Sequence, residues 1–247
     1  MAIVKRSRIP VLGVNIDSIT MQGALDLLDS FVKERRPHMV ATANAEMVMV
    51  AQEDPELCSI LNAADLVLAD GAGVVWASSR LGPGVPERVA GFDLTQEFLR
   101  RAAAENYRVY WLGAAPGIAE QAARRAVQLY PGFITVGIQD GYFPAKDPTI
   151  VEAIREAQPD ILLCALGIPK QEKWLAHNLT RLQVPVSIGV GGTFDVMAGK
   201  VKRAPLWMQK SGLEWSYRLM RQPSRLVRML ALPKFVLRVL LSAWTTR

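Results

Sequence analysis

The chain has 247 residues, 50% of them apolar and 21% charged, enough to bury a sizeable core and too apolar for a disordered polymer. Cys58 and Cys164 lie in apolar surroundings without paired spacing, which argues against a disulfide framework and for a reducing compartment. The net charge of +6 is uneven: from Lys202 onward ten Lys or Arg stand against Glu214 alone, so this tail carries +9 and the first 201 residues −3, a distribution that suits a polyanionic partner such as lipid headgroups, phosphate or nucleic acid.

The opening "MAIVKRSRIPVLGVNID" is basic, but Pro10, Gly13 and Asn15 break its apolar run, which is too short for a signal peptide. "TMQGALDLLDSFVKE" follows with Leu25, Leu28 and Val32 at helical spacing. Short apolar runs at 38–43, 65–69, 108–113, 133–138, 160–166 and 184–190 read as strands, separated by helical stretches such as "PGIAEQAARRAVQLY". This alternation predicts an α/β fold over residues 1–200: a mostly parallel, Rossmann-like sheet with helices on both faces. Near Lys200 the pattern stops, and residues 201–247 read as a basic, amphipathic, helical C-terminal appendage. Its most apolar stretch, "LVRMLALPKFVLRVLLSAW", is interrupted by Arg228, Lys234 and Arg238, so no transmembrane span is expected.

A parallel sheet places its functional loops at the carboxyl ends of the strands. Here they read "TANAE" (42–46), "ADGAG" (69–73), "LGAAPG" (112–117), "QDGYF" (139–143), "LGIPKQE" (166–172) and "GVGGTFD" (189–195). Several are glycine-rich and lead into helix N-termini, which favour phosphate. There is no G-x-x-x-x-G-K-[ST], and "GVGGTFD" is not the G-x-G-x-x-G dinucleotide fingerprint. No Asp-x-Asp occurs, His38 and His177 are far apart and read as structural, and no serine sits in a G-x-S-x-G elbow. Neither a metal nor a cofactor is expected. What remains is Asp70, with Thr42, Asn44, Arg88, Gln171, Glu172 and Asp195 on neighbouring loops. Asp70 either caps the helix that follows or faces a substrate. One carboxylate suffices as general base where a hydroxyl displaces a leaving group in a single step, as in inverting sugar transfer from a nucleotide donor.

The motifs "TANAE", "LADGAGVVWASS", "ERVAGFDL", "LGIPKQEKW", "GVGGTFDVMAG" and "RAPLWMQKSGLEWSYRLMRQPSRLVR", in this order from about residue 10 to 230, resemble the WecG/TagA/CpsF family of bacterial glycosyltransferases. The resemblance implies inverting, metal-independent transfer of an N-acetylhexosamine-type sugar, N-acetylmannosamine foremost, from a UDP donor to undecaprenyl-diphosphate-linked GlcNAc in wall teichoic acid or related polysaccharide synthesis. It implies that Asp70 is the catalytic base and that Arg88 meets the diphosphate. Thr42, Asn44, Gly71, Gly113, Gln171 and Asp195 are then substrate-binding, Thr42 and Asn44 in a T-x-N loop beside the donor. Asn44 as a helix cap and Arg88 as a surface ion pair are the alternative readings, and Lys170 and Glu172 stay unassigned. One departure is "TANAE" itself, where many members carry proline after the threonine, which bears on the loop's rigidity.

Arg218, Arg221, Arg225 and Arg228 recur at steps of three, four and three, one helical face if Pro223 leaves the axis intact. Given a lipid acceptor, the tail is expected to dock on the inner face of the cytoplasmic membrane, to close over the active site, and to bring some of these arginines to a diphosphate. An apolar tail also favours self-association, so a homo-oligomer is among the expected partners. Two other functions fit parts of the pattern. A nucleic-acid-binding tail is disfavoured because Trp207, Trp215, Phe235 and Trp244 lie in a Leu-rich helical pattern rather than on a strand platform. A nucleotide-binding oxidoreductase would require a flavin or nicotinamide, visible in the absorption spectrum.

Overall fold

The computed structural model describes residues 7–144, 147–221 and 230–245. A hairpin of β1 (Arg8–Val11) and β2 (Val14–Asp17) opens the chain, followed by α1 (Met21–Glu34), β3 (His38–Ala43), α2 (Ala45–Glu53), α3 (Pro55–Ala63) and β4 (Leu66–Ala69). Then come α4 (Ala72–Leu81), α5 (Gly91–Glu105), β5 (Arg108–Gly113), α6 (Ile118–Leu129), β6 (Ile134–Gln139), α7 (Pro148–Ala157) and β7 (Ile161–Ala165). The chain continues through α8 (Lys170–Leu182), β8 (Val186–Gly189), α9 (Thr193–Met197), α10 (Leu206–Lys210), α11 (Glu214–Arg221) and a C-terminal helix, Ala231–Thr245.

Strands β3 to β8 form one six-stranded sheet in the order β4-β3-β8-β7-β5-β6, and every pairing in it is parallel. The expected parallel α/β sheet is present, with strand ends within two residues of their sequence positions. Its central strands are buried on both faces, which is why they read as continuous apolar runs rather than alternating ones. One face is covered by α2, α3, α4, α7 and α8, through residues such as Val48, Leu57, Val74, Ile154 and Leu175. The other is covered by α1, α5, α6 and α9, through Leu28, Phe98, Ala122 and Phe194.

The antiparallel β1–β2 hairpin is an element the sequence pattern did not reveal. Its turn is Leu12–Gly13, with φ of 47° and 81°, the positive-φ geometry that tight hairpins need but without an Asn-Gly or Asp-Gly signature. Asp17 anchors it to the sheet by accepting from the Val67 backbone N–H at 2.8 Å, and Arg8 reaches the Ala64 carbonyl at 2.7 Å.

The tail packs against the body. Phe235 and Val239, four residues apart on the C-terminal helix, are fully buried in the face formed by α2 and α4. The same helix leaves Leu237, Leu240, Leu241 and Trp244 exposed. Truncating Phe235 to Ala removes the larger anchor, a change that costs about 3–5 kcal/mol in a closed core. Phe235→Ala is therefore expected to release Ala231–Thr245 while leaving the sheet intact, seen as faster amide exchange and proteolysis confined to that helix.

Candidate active site

The strand order has a switch point. The chain leaving β5 enters α6 on one face of the sheet, and the chain leaving β7 enters α8 on the other, although β5 and β7 are paired neighbours. Such divergence leaves a crevice beyond the carboxyl ends, and a cleft of about 1430 Å³ lies there. Its floor and sides include Ala114, Ala115, Leu166, Gly167 and Asp195. Gly113 lies behind the floor: its φ is +116°, and a Cβ there would sit 2.5 Å from the Ala165 carbonyl carbon. Glycine at 113 is thus required by the close approach of β5 to β7.

One wall of the cleft is α8, which contributes Lys170, Lys173, His177 and Arg181. Their helical spacing is a signal that sequence reading passed over. Lys173 lies 2.7 Å from Asp54 and 2.6 Å from Glu56, and His177 2.9 Å from Glu56. Hydrogen bonds that Lys173 donates to Asp54 and then Glu56 raise its pKa; Lys170, Lys173 and Arg181 give this wall its positive charge, part of which the two carboxylates offset. Tyr142 stands exposed at the rim.

Gln171 does not project freely into the cleft. Its Oε1 accepts from the backbone N–H of Gly167 at 3.2 Å and of Gly191 at 3.1 Å, and its Nε2 donates to Glu172 Oε1 at 2.7 Å. The side chain is buried and ties the β7 loop to the β8 loop. Glu172 is buried beside it, and desolvation pushes its carboxyl up to about 7, against the lowering hydrogen bond from Gln171. Burial pushes the Cys164 thiol up as well, with Glu172 adding to the effect.

A second group of polar residues lies at the carboxyl ends of β3 and β4. The Asp70 N–H donates to the Ala43 carbonyl at 2.8 Å, continuing the strand pairing. The N-cap position of α4 goes to Gly71, whose φ is +104°. Asn44 accepts from the Met47 N–H at 2.9 Å and caps α2; a Cβ on Gly71 would lie 3.8 Å from that of Asn44. Thr42 is buried, donates to the Gly189 carbonyl at 3.2 Å, and packs against Gly91. Arg88, half-buried, donates to the Gln209 carbonyl at 3.5 Å and lies 3.7 Å from Glu214. The tail thereby reaches this end of the sheet.

Arg203 was missed by sequence reading. It pairs with Asp93 through both terminal nitrogens, stands 4.7 Å over the Phe92 ring and lies 3.7 Å from Glu214. Burial works against its charge, but Asp93, Glu214 and Asp70 outweigh it and raise the pKa.

The structure therefore divides the expected site residues. Thr42, Asn44, Asp70, Gly71 and Arg88 gather at the β3–β4 end, while Gly113, Gln171 and Asp195 gather around the cleft. Asp70 does not line the cleft; with strands about 4.8 Å apart, two spacings separate β4 from β8 at the cleft's near side, roughly 10 Å. Thr42, bonded to the end of β8, sits between the two groups. Arg218 and Arg221 belong to α11, but their side chains, and Arg225 and Arg228 entirely, lie outside the described residues.

Over residues 9–247 the chain matches the glycosyl transferase WecG/TagA/CpsF family, and it belongs to that family. It is 36% identical over 235 residues to the N-acetylglucosaminyldiphosphoundecaprenol N-acetyl-beta-D-mannosaminyltransferase of Bacillus subtilis (strain 168), covering 94% of this chain and 89% of the relative. The enzyme of the same name from Bacillus spizizenii is 35% identical over 226 residues (91% and 87%). That from Staphylococcus aureus (strain MW2) is 32% identical over 235 residues (94% and 92%).

Glu172 makes stability depend on pH. Its folded pKa of about 7 exceeds the ordinary 4.5, so the native state holds the proton more tightly. The stability this contributes is complete below about 4.5 and is lost as pH rises to about 7, with a total near 3 kcal/mol. Glu172→Gln is expected to match the wild type in denaturant unfolding at pH 4.5 and to be more stable at pH 8.

Proposed function

We propose that this enzyme transfers N-acetylmannosamine from a UDP donor to undecaprenyl-diphosphate-linked GlcNAc, a step of wall teichoic acid or related surface-polysaccharide synthesis. The observation that carries this reading is a carboxylate, Asp70, at the carboxyl end of a strand, within the field of Arg203 and a short span along the sheet edge from a nucleotide-sized cleft. The names of the relatives supply the sugar and the acceptor.

In this reading the cleft takes the uridine diphosphate, with the cationic wall of α8 and the N-terminus of α6 opposing its charge. The sugar extends along the sheet edge past Thr42 and Asn44 toward Asp70. The acceptor hydroxyl attacks the anomeric carbon from the face opposite the phosphate. The new C–O bond forms as the bond from the anomeric carbon to the phosphate oxygen breaks, Asp70 takes the hydroxyl proton, and UDP leaves with the electron pair. The product is inverted. Arg88 and Arg203 offset charge on a diphosphate, and Gln171 serves by holding the cleft loops.

Membrane association is the second part of the proposal. No helix among the described residues is long and apolar enough to cross a membrane. Trp207, Trp215, Leu237, Leu240, Leu241 and Trp244 are exposed on the tail helices, in the most basic part of the chain. This combination suits an interfacial device on an anionic leaflet, where the lipid-linked acceptor resides.

Incubation with a short-chain lipid-diphosphate-GlcNAc and a panel of UDP-sugars, followed by product mass, tests the reaction: UDP-N-acetylmannosamine is expected to react fastest. Asp70→Asn should lower turnover by roughly 10²–10⁴-fold, the range of general-base catalysis, and a chelator should leave the rate unchanged. Deleting residues from Lys202 onward should abolish both binding to anionic liposomes and transfer. Wild-type rates in Asp70→Asn would overturn the role of the base, and unchanged liposome binding the role of the tail.

A further inference from the structure

Glu172 has no part in the transfer chemistry proposed above, yet its carboxyl is fully buried at the start of α8. Oε1 accepts from Gln171 at 2.7 Å, and Oε2 has no hydrogen-bond partner among the described residues. A buried carboxyl satisfied at one oxygen is costly, and an apolar side chain of similar volume would be cheaper. Its position needs a reason, and the Gln171 amide supplies one.

The two ends of a primary amide are nearly equal in size, so the partners decide which end points where. Gly167 and Gly191, on the loops after β7 and β8, both present N–H groups to Gln171, and only the oxygen can accept from both. The nitrogen on the opposite side then needs an acceptor, which is Glu172. Were that acceptor lost, a buried donor would be left unsatisfied and the turned-over amide would set N–H against N–H at both loops. The end of β8 is also shaped to the pair: a Cβ on Gly189 would lie 2.7 Å from Gln171 Nε2 and 3.2 Å from Glu172 Oε1.

We infer that Glu172 is a positioning residue of the cleft, whose Oε1 locks the Gln171 amide in the one orientation that ties the β7 and β8 loops to α8 and so sets the width of the nucleoside-diphosphate site. The assignment of that ligand rests on the function proposed above; the lock itself does not. Both loops border the cleft, at Gly167 and Gly191, so their separation controls how closely backbone and α8 cations meet a diphosphate. The lock acts on binding and leaves the distant Asp70 untouched.

Amide hydrogen exchange by NMR, calorimetric titration with UDP, and steady-state kinetics on the full-length chain test this. In Glu172→Leu, exchange at Gly167 and Gly191 should accelerate, and UDP affinity should weaken, each by about tenfold, the scale of one buried hydrogen bond. The donor KM should rise in step while kcat stays near wild type. Glu172→Gln, which keeps an acceptor, should restore both glycine amides and UDP affinity to near wild type. Gly189→Ala, in an extended strand that accepts a side chain but with a methyl that intrudes on the pair, should behave like Glu172→Leu. Unchanged exchange at both glycines in Glu172→Leu, or a Glu172→Gln variant as impaired as Glu172→Leu, overturns the inference. Should Glu172→Leu fail to fold, Gly189→Ala decides by the same exchange measurement. A wild type that binds no UDP overturns the nucleotide reading, while the exchange rates still decide the role of Glu172.

Discussion

The cleft at the carboxyl edge of this sheet depends on β5 and β7 pairing to their last residues and then sending the chain to opposite faces. Gly113 and Ala165 are register partners at the end of that pair, and their backbones are too close there for a side chain on residue 113. Beyond this point α6 departs to one side and α8 to the other, and the cleft is the volume between them. Both helices present their N-termini toward it, so the site is electropositive from the backbone before any side chain contributes. The N–H groups of Gly167 and Gly191 are spent on Gln171, however. On the proposed function, the diphosphate then falls to other amides of these loops and to the cations of α8.

The second cluster of charge, around Asp70, is built differently. Glu214 lies between Arg88 and Arg203, and Arg203 is held on its other side by Asp93 and beneath by Phe92. These groups come from the α4–α5 loop, from α5, from the segment after α9 and from α11, so the network fastens the tail to the body at this end of the sheet. Away from the site the fastening is apolar, through Phe235 and Val239. The two kinds of attachment respond differently to an arriving polyanion. Buried Phe235 is indifferent to it, whereas an anion approaching Arg88 or Arg203 competes with carboxylates of the chain itself. Partly buried ion pairs contribute little net stability by themselves, but, unlike packing, they can be exchanged for another anion.

The central sheet was legible because its strands, apart from the half-buried edge strand β6, are buried on both faces and separated by helical stretches, so hydrophobic runs marked them directly. The β1–β2 hairpin was not, because its turn takes positive φ at Leu12, a residue that carries no turn signature. The positions of the loops followed from the fold, but their division into two groups did not: strand order decides which loops are neighbours, and chain order does not reveal that β8 inserts between β3 and β7. Asn44 is a cap by geometry, and Gln171 an internal tie. A polar residue in a loop motif reads alike whether it faces solvent, substrate or a neighbouring loop. Glu172 stayed unassigned and Arg203 unremarked for the same reason, since nothing in sequence distinguishes a buried carboxylate from an exposed one, or an arginine paired with Asp93 and near Glu214 from one in solvent.

Acidic residues at strand ends illustrate how position, more than residue type, separates structure from chemistry. At the amino edge, Asp65 accepts from the Met39 N–H at 2.9 Å and Asp160 from the Arg108 N–H at 2.8 Å. Each satisfies the first free donor of an adjacent strand, where no preceding residue of the sheet can, and Asp17 does the same for Val67 from the hairpin. These carboxylates close the sheet's hydrogen bonding at the edge where the strands begin. At the opposite edge the pairing of β3 with β4 is continued by backbone at Asp70, whose own N–H meets the Ala43 carbonyl. A carboxylate there is not needed to finish the ladder, and the charge of Asp70 instead joins those of Asp93 and Glu214 in raising the Arg203 pKa.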